Sequence, residues 1–263
     1  MKRKLTDLID EKPVKNISLN KKFEFGITVG SKSKPKQVII SATSLTFLGS
    51  KIKQYLTDIL KGELNKTFNL SSYQKILVVG LGNCEIFNDS LGPKIVEKLI
   101  ISRGLNLKPE VSAFCPNVYS NTGIETSELV KAVCQLVKPE LVIILDALAT
   151  VSASRLCSCF QIFEGGITAG SGANSKNKKI TKQFLGVKNV VSIGVPMLIY
   201  GQTIAPQIQN KTLKNSFQNY PSLILSPANI NKITNLLCEI VSLAINETLF
   251  QNLSKEEIEI LTN

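Results

Sequence analysis

The chain has 263 residues, 43% of them hydrophobic, with 31 Lys and Arg against 20 Asp and Glu, a formal net charge of +11. That length and apolar content suffice for a substantial core in one large domain or two small ones. There is no histidine, which removes the commonest general base and the commonest zinc ligand. The apolar runs are short and interrupted, so no membrane span is expected. The N-terminal Met1-Lys2-Arg3-Lys4-Leu5-Thr6-Asp7 is basic but lacks the apolar stretch of a secretory signal. A soluble, cytoplasmic protein without membrane partners is the expectation.

Residues 1–22 read as a polar, lysine-rich leader, and 23–263 as a single α/β domain. Phe23–Val29 and Gln37–Ala42 read as strands joined by the turn-like Gly30–Pro35. A helix follows over about 49–64, its stripe formed by Ile52, Tyr55, Leu56, Ile59 and Leu60. Strand and helix then alternate: strand 75–81, helix 90–102, strand 111–114, helix 124–137, strand 140–145. A strand pair at 155–163 and 189–195 comes next. The polar stretch 202–221 reads as a surface loop, and a long helix over about 228–249 is entered by Ser226-Pro227. This alternation predicts a three-layer α/β/α sandwich around a mainly parallel sheet.

Six cysteines (Cys84, Cys115, Cys134, Cys157, Cys159 and Cys238) are scattered through these elements. They form no disulfide framework, and Cys157-Ser158-Cys159 lacks the two-residue gap of a zinc or redox motif. Reduced thiols packed in the fold are expected, with Cys157 and Cys159 sharing a strand face. The positive charge is spread along the chain without interleaved aromatics, which make up 6% of it. An acidic substrate, or one met near nucleic acid, accounts for the charge as well as direct nucleic-acid binding does; no direct functional nucleic-acid binding is expected.

Two aspartates stand out. Ile76–Gly80 leads through Leu81-Gly82-Asn83 to Asp89, and Leu141–Leu145 leads to Asp146. In an open parallel sheet both runs deliver their carboxylates to the edge where ligands bind. Two neighbouring carboxylates do not both ionise cheaply, so one holds a proton while the other acts as a base, and hydrolysis proceeds without metal or cofactor. Each has a plainer reading: Asp89 as the N-cap of the helix opened by Asp89-Ser90-Leu91-Gly92-Pro93, Asp146 as a turn residue. Gly80-Leu81-Gly82 resembles the start of a dinucleotide fingerprint, but Glu85 stands where its third glycine belongs; a tight turn of the backbone is the better account. Thr122–Glu128 reads as a helix start with capping-box character. The glycine-dense run 165–174 reads either as a mobile loop or as a source of backbone N–H groups for an oxyanion or an extended peptide. Gly194-Val195-Pro196 closes the last buried strand and shapes the cleft.

Taken in order, Val78–Asn83, Asp89–Pro93, Thr122–Glu128, Asp146–Ala149, Gly170-Ser171-Gly172, Ser192–Pro196 and Leu225-Ser226-Pro227 resemble the germination (spore) protease family. The resemblance implies a fold like that of the hydrogenase-maturation proteases and an atypical aspartic endopeptidase that needs no metal. Its substrates would be small acid-soluble proteins coating spore DNA, in the spore core. It places the catalytic pair at Asp89 and Asp146, and substrate contacts at Gly82, Asn83, Gly170, Ser171 and Gly172. It also implies a homotetramer and a zymogen that removes a short propeptide, with Thr6-Asp7-Leu8 matching the processing sequence and cleavage between Asp7 and Leu8. The chain departs from the family pattern at Thr168, where family members carry a histidine, at Tyr200, which aligns with an aspartate, and in a shorter 202–221 segment. Two other readings remain: a non-catalytic member that grips spore protein or DNA, and a metal-dependent maturation peptidase, against which the missing histidine argues.

Overall fold

In the computed structural model, the residues described are 18–22, 26–42, 50–168, 178–220 and 223–262. In chain order the elements are β1 (Ser18–Lys22), β2 (Thr28–Ser33), β3 (Lys36–Ser41), α1 (Ser50–Phe68), β4 (Lys75–Gly80), α2 (Leu91–Val96), β5 (Glu110–Phe114), α3 (Tyr119–Thr122), α4 (Thr126–Val137) and β6 (Leu141–Ala149). Then come β7 (Cys159–Glu164), β8 (Ile167–Thr168), β9 (Lys179–Ile180), α5 (Lys182–Leu185), β10 (Asn189–Tyr200), α6 (Gly201–Ile204), α7 (Lys211–Asn219), β11 (Ile224–Leu225), α8 (Ile230–Leu249) and α9 (Lys255–Thr262).

One mixed sheet runs in the order β1-β2-β3-β7-β10-β6-β4-β5, with β11 added to the end of β10. The mainly parallel arrangement expected from the sequence holds for its functional half, β10-β6-β4-β5, where all three pairings are parallel. The other half, from β7 to β1, is antiparallel. The reason lies in the connections. The parallel strands are linked through helices, whereas β2 and β3 form a hairpin whose turn is Lys34-Pro35.

Alternation along the strands builds two cores. Leu141, Ile143, Leu145 and Ala147 of β6 face a large cluster with Leu56, Leu60 and Leu64 of α1, Leu91 and Ile95 of α2, Ile258 of α9, and Ile233, Leu237, Val241 and Ile245 of α8. Val142, Ile144 and Leu148 face a smaller cluster with Val130 and Cys134 of α4, Leu185 of α5, and the β8-β9 hairpin residues Ile167 and Ile180. Burying each such side chain is worth about 1.5–3 kcal/mol. The three layers of the α/β/α sandwich follow directly. Ion pairs tie α1 to α8 at the rim: Lys53 to Glu239 at 2.5 Å and Lys61 to Glu247 at 2.9 Å. Inside, the Asn246 amide accepts from the Ile100 N–H at 3.1 Å and donates to the Lys98 carbonyl at 3.0 Å, so two orphan groups beyond α2 are satisfied from α8.

Several expectations are corrected. The stretch 202–221, read as a loop, carries α6, a 3-10 turn over Ala205–Gln207 and α7, whose N-cap Asn210 accepts the Leu213 N–H at 3.1 Å. Ser18–Lys22, placed in the leader, is an edge strand. Strand β6 does not stop at Leu145, nor β10 at Val195, because the two stay paired as far as Ala149 and Leu198, with a shift of register after Pro196. The helix expected over 90–102 is α2 alone, six residues long. The capping box is not formed: α4 starts after Glu125 without a side-chain cap, and Thr122 Oγ1 instead accepts the Ile124 N–H. Cys157, at φ 52, precedes β7 rather than sharing a strand face with Cys159.

All six cysteines are free thiols, and Cys134, Cys157, Cys159 and Cys238 are buried, as the packing reading requires. Burial is the main cause that pushes the thiol of Cys238 up from 9.0 to about 12. Its folded form therefore favours the proton more than the unfolded chain does, a stabilisation complete below about pH 9 and lost as pH rises towards 12. Urea unfolding of the wild type should weaken above pH 9 more steeply than that of Cys238→Ala, by roughly 2 kcal/mol at about pH 11. Parallel pH curves for the two would refute this.

Candidate active site

The carboxyl edge of the parallel half is shaped by two diverging connections. After β4 the chain crosses the first face through α2 and moves outward to β5. After β6 it runs the opposite way, past β10 to β7. Neighbouring strands whose connections part in this way leave a crevice between them, where open α/β sheets bind ligands. Asp89 lies on the connection after β4 and Asp146 lies in β6. Both thus sit at the same parting point, joined through two residues: Leu81, whose N–H donates to the Leu145 carbonyl at 2.8 Å, and Gly82, which abuts Asp89.

The connection carrying Asp89 is stapled to itself. Asp89 Oδ2 accepts the Asn83 N–H at 2.8 Å, and Asn83 Oδ1 accepts the Glu85 N–H at 2.9 Å. Ile86 N donates to the Asn83 carbonyl at 3.1 Å and Asp89 N to the Ile86 carbonyl at 2.8 Å. The N-cap position of α2 belongs to Ser90, so Asp89 stands one residue outside the helix and its carboxylate turns back to the strand end instead. Two glycines permit this. A Cβ on Gly92 would lie 2.4 Å from the Leu81 carbonyl oxygen and 2.6 Å from that of Leu145, so the first turn of α2 rests directly on the backbones of β4 and β6. Gly82 has φ +114°, and a Cβ there would lie 2.0 Å from the Asp89 carbonyl oxygen.

Asp146 is 6% exposed. It pairs with Gly194 of β10 in the parallel ladder, and its Oδ1 accepts the Ala147 N–H at 2.9 Å. It is a strand residue, not the turn residue of the plainer reading, and it alternates with Ile144 and Leu148 towards the α4 side. Asp89 reaches the edge from the head of α2, on the other side. The two residues thus stand at one edge, Asp89 on the α2 side of the sheet and Asp146 on the α4 side.

Of the other positions read from the sequence, Gly82 and Asn83 lie in this network. Gly170, Ser171 and Gly172 fall outside the described residues, as do Asp7 and Leu8. Thr168 ends β8 opposite Lys179, and Tyr200 ends β10 opposite Ile224 of β11. Among the described residues no group of three or more His, Cys, Asp or Glu side chains is arranged to hold a metal ion, and no helix is long and apolar enough to cross a membrane. The sequence reading missed the exposed apolar side chains that ring this edge: Ile86 and Phe87 after β4, Ile124 after β5, and Val151 after β6. Apolar residues within otherwise polar connections were the available signal.

The fold and the edge together define an α/β/α sandwich with a carboxylate-bearing crevice at its switch point. Residues 9–221 match the family model described as germination protease, and the chain belongs to that family. It is 35% identical over 219 residues to the germination protease of Bacillus subtilis, covering 77% of this chain and 59% of the relative. To that of Priestia megaterium it is 34% identical over 236 residues, covering 83% of this chain and 63% of the relative. The chain thus spans about three fifths of the length of these relatives. Among solved structures, the NiFe hydrogenase maturation protease HycI of Thermococcus kodakarensis aligns with TM-score 0.40 and 18% identity, over 71% of this chain and 98% of that one.

The geometry at Gly82 makes a sharp prediction. Gly82→Ala should cost about 1–3 kcal/mol in thermal unfolding, since both the positive φ and the Asp89 carbonyl oppose a Cβ. Gly62→Ala, in α1 with open space around the added carbon, should be neutral or stabilise by up to about 1 kcal/mol. Equal effects at the two sites would show that the Gly82–Asp89 contact is not needed.

Proposed function

We propose that the chain is an endopeptidase of the aspartic type that starts the degradation of small acid-soluble DNA-binding proteins during spore germination, with Asp89 and Asp146 as its catalytic pair. The observation that carries this reading is the meeting of the two carboxylates' chain segments at Leu81 and Gly82, where the connections after β4 and β6 part. Membership of the germination protease family supports it, and the exposed apolar side chains around the edge suit the side chains of an extended polypeptide.

In the mechanism, the two carboxyl groups share one proton across the crevice. The ionised one takes a proton from a water molecule as the oxygen attacks the scissile carbonyl carbon. The protonated one donates its proton to the carbonyl oxygen, giving a neutral tetrahedral intermediate. Collapse of that intermediate returns the carbonyl, protonates the departing amine and restores the starting protonation of the pair. Asn83 and Ala147 N–H groups hold one oxygen of each carboxylate and so fix which oxygens face the water.

The reading extends to a zymogen that cleaves itself between Asp7 and Leu8, to a homotetramer, and to action in the spore core. Removal of residues 1–7 would leave β1, the edge strand at Ser18–Lys22, in the processed chain.

A second reading, a non-catalytic member that binds spore protein or DNA, draws on the net charge of +11. Incubation with purified small acid-soluble spore protein separates the two: fragments support the peptidase, whereas salt-sensitive complexes without fragments support the binder. Asp89→Asn and Asp146→Asn should each lower the cleavage rate by at least about a hundredfold and stop processing at Asp7. Both keep an oxygen acceptor for the backbone N–H each carboxylate holds, so circular dichroism and the unfolding midpoint should barely move. Retained cleavage in either variant would overturn the catalytic assignment.

A further inference from the structure

Gly194 of β10 is paired on both sides, with Asp146 of β6 in the parallel ladder and with Gln161 of β7 in the antiparallel one. Residues directly paired across a sheet turn their side chains to the same face. For Asp146 that is the α4 side, shared with Ile144 and Leu148. Gln161 agrees, since its chain neighbours Phe160 and Ile162 point into the opposite, larger core. Asp146 and Gln161 therefore stand level with each other on one face, with a glycine between them. Neighbouring strands lie about 4.8 Å apart, which sets the two Cα atoms about 10 Å from each other. Any other residue at 194 would put a side chain into that interval; glycine keeps it clear of one from β10.

The fold makes little use of the Gln161 amide. The residue is 5% exposed, yet among the described residues its side chain makes one hydrogen bond, from Nε2 to Cys159 Sγ at 3.9 Å. A thiol sulfur is a weak acceptor, whereas a primary amide offers two N–H donors and a carbonyl. Buried groups of this kind are ordinarily paired. Ser192, on the same face two residues earlier in β10, shows the ordinary case: its hydroxyl donates to the Gly165 carbonyl at 2.9 Å.

We propose that Gln161 is a further substrate-binding residue, whose amide holds the main chain of the polypeptide beside Asp146. An amide donates to a peptide carbonyl and accepts from a peptide N–H, so it suits the backbone of an extended chain whatever its side chains. This role rests on the peptidase reading and adds to it a hold on the substrate from β7. In the strand order β7-β10-β6-β4, Asp146 then lies between Gln161 on one side and the connection that carries Asp89 on the other.

The test is steady-state cleavage of purified small acid-soluble spore protein by the full chain and its variants, with thermal unfolding alongside. Gln161→Leu is close in size and makes no hydrogen bond. It should lower kcat/KM about tenfold, the loss of roughly one net hydrogen bond, while its unfolding midpoint stays at or above that of the wild type. Gln161→Glu sets a new carboxyl level with Asp146; ionised, it repels the pair and has no donor, and protonated it donates again. Its kcat/KM relative to wild type should therefore rise as pH falls from about 7 to about 5, a response that a packing role would not give. An active wild type beside a Gln161→Leu variant with unchanged kcat/KM, or a pH-independent ratio for Gln161→Glu, would overturn the role of Gln161 and leave the peptidase reading standing. A wild-type chain that yields no fragments would overturn that reading, and the role of Gln161 with it.

Discussion

The structure hinges on backbone-to-backbone contact between the first turn of α2 and the ends of β4 and β6. Gly92 sits against the carbonyls of Leu81 and Leu145, closer than any side chain would allow. A helix drawn down this far onto the sheet cannot begin at the strand end itself. The connection from Leu81 to Ser90 must first rise over the edge and return, and Asp89 stands at the return. The carboxylate is therefore placed by a packing requirement that operates whether or not any chemistry follows. The same contact fixes Leu81 against Leu145, and hence the strand end that carries Asp146.

The two aspartates are held by different means. Asp146 lies within a ladder, paired with Gly194 on β10, and it moves only if the centre of the sheet moves. Asp89 is held by a short, self-bonded connection whose geometry depends on the positive φ of Gly82 and on the Asn83 N–H. One member of the pair is rigid and the other rests on a few local bonds. Asp89 can therefore shift with its connection without disturbing the core.

Much of this was legible in the sequence, and for a definite reason. Runs such as Ile76–Gly80 and Leu141–Leu145 are apolar throughout, which only a strand covered on both faces tolerates, so the parallel half of the sheet and its edge could be placed. The antiparallel half was harder. Ser18–Lys22 carries one apolar residue, Leu19, too little alternation to announce the edge strand it forms. Helix α7 is hidden because its apolar residues are few: Leu213 is 53% exposed and only Phe217 is partly buried, too little to announce a core-facing stripe. Asp146 reads as the end of its strand because a charge usually stands there; β10, twelve residues long, carries β6 past it. In each case tertiary pairing overrode a local signal.

The position of Asp146 within the ladder also bears on its chemistry. A carboxylate at a loop tip keeps most of its water, whereas one inside a strand, flanked by Ile144 and Leu148 and covered by the second layer, has given up nearly all of it. Losing water favours the neutral form, and a backbone N–H donated to one oxygen favours the charged form. Asp146 experiences both, the first from the sheet and the second from Ala147. Asp89, half-buried on its connection, is held by a similar N–H but keeps more solvent. The two environments therefore differ chiefly in desolvation. That difference follows from placing one acid in a strand and the other on a loop.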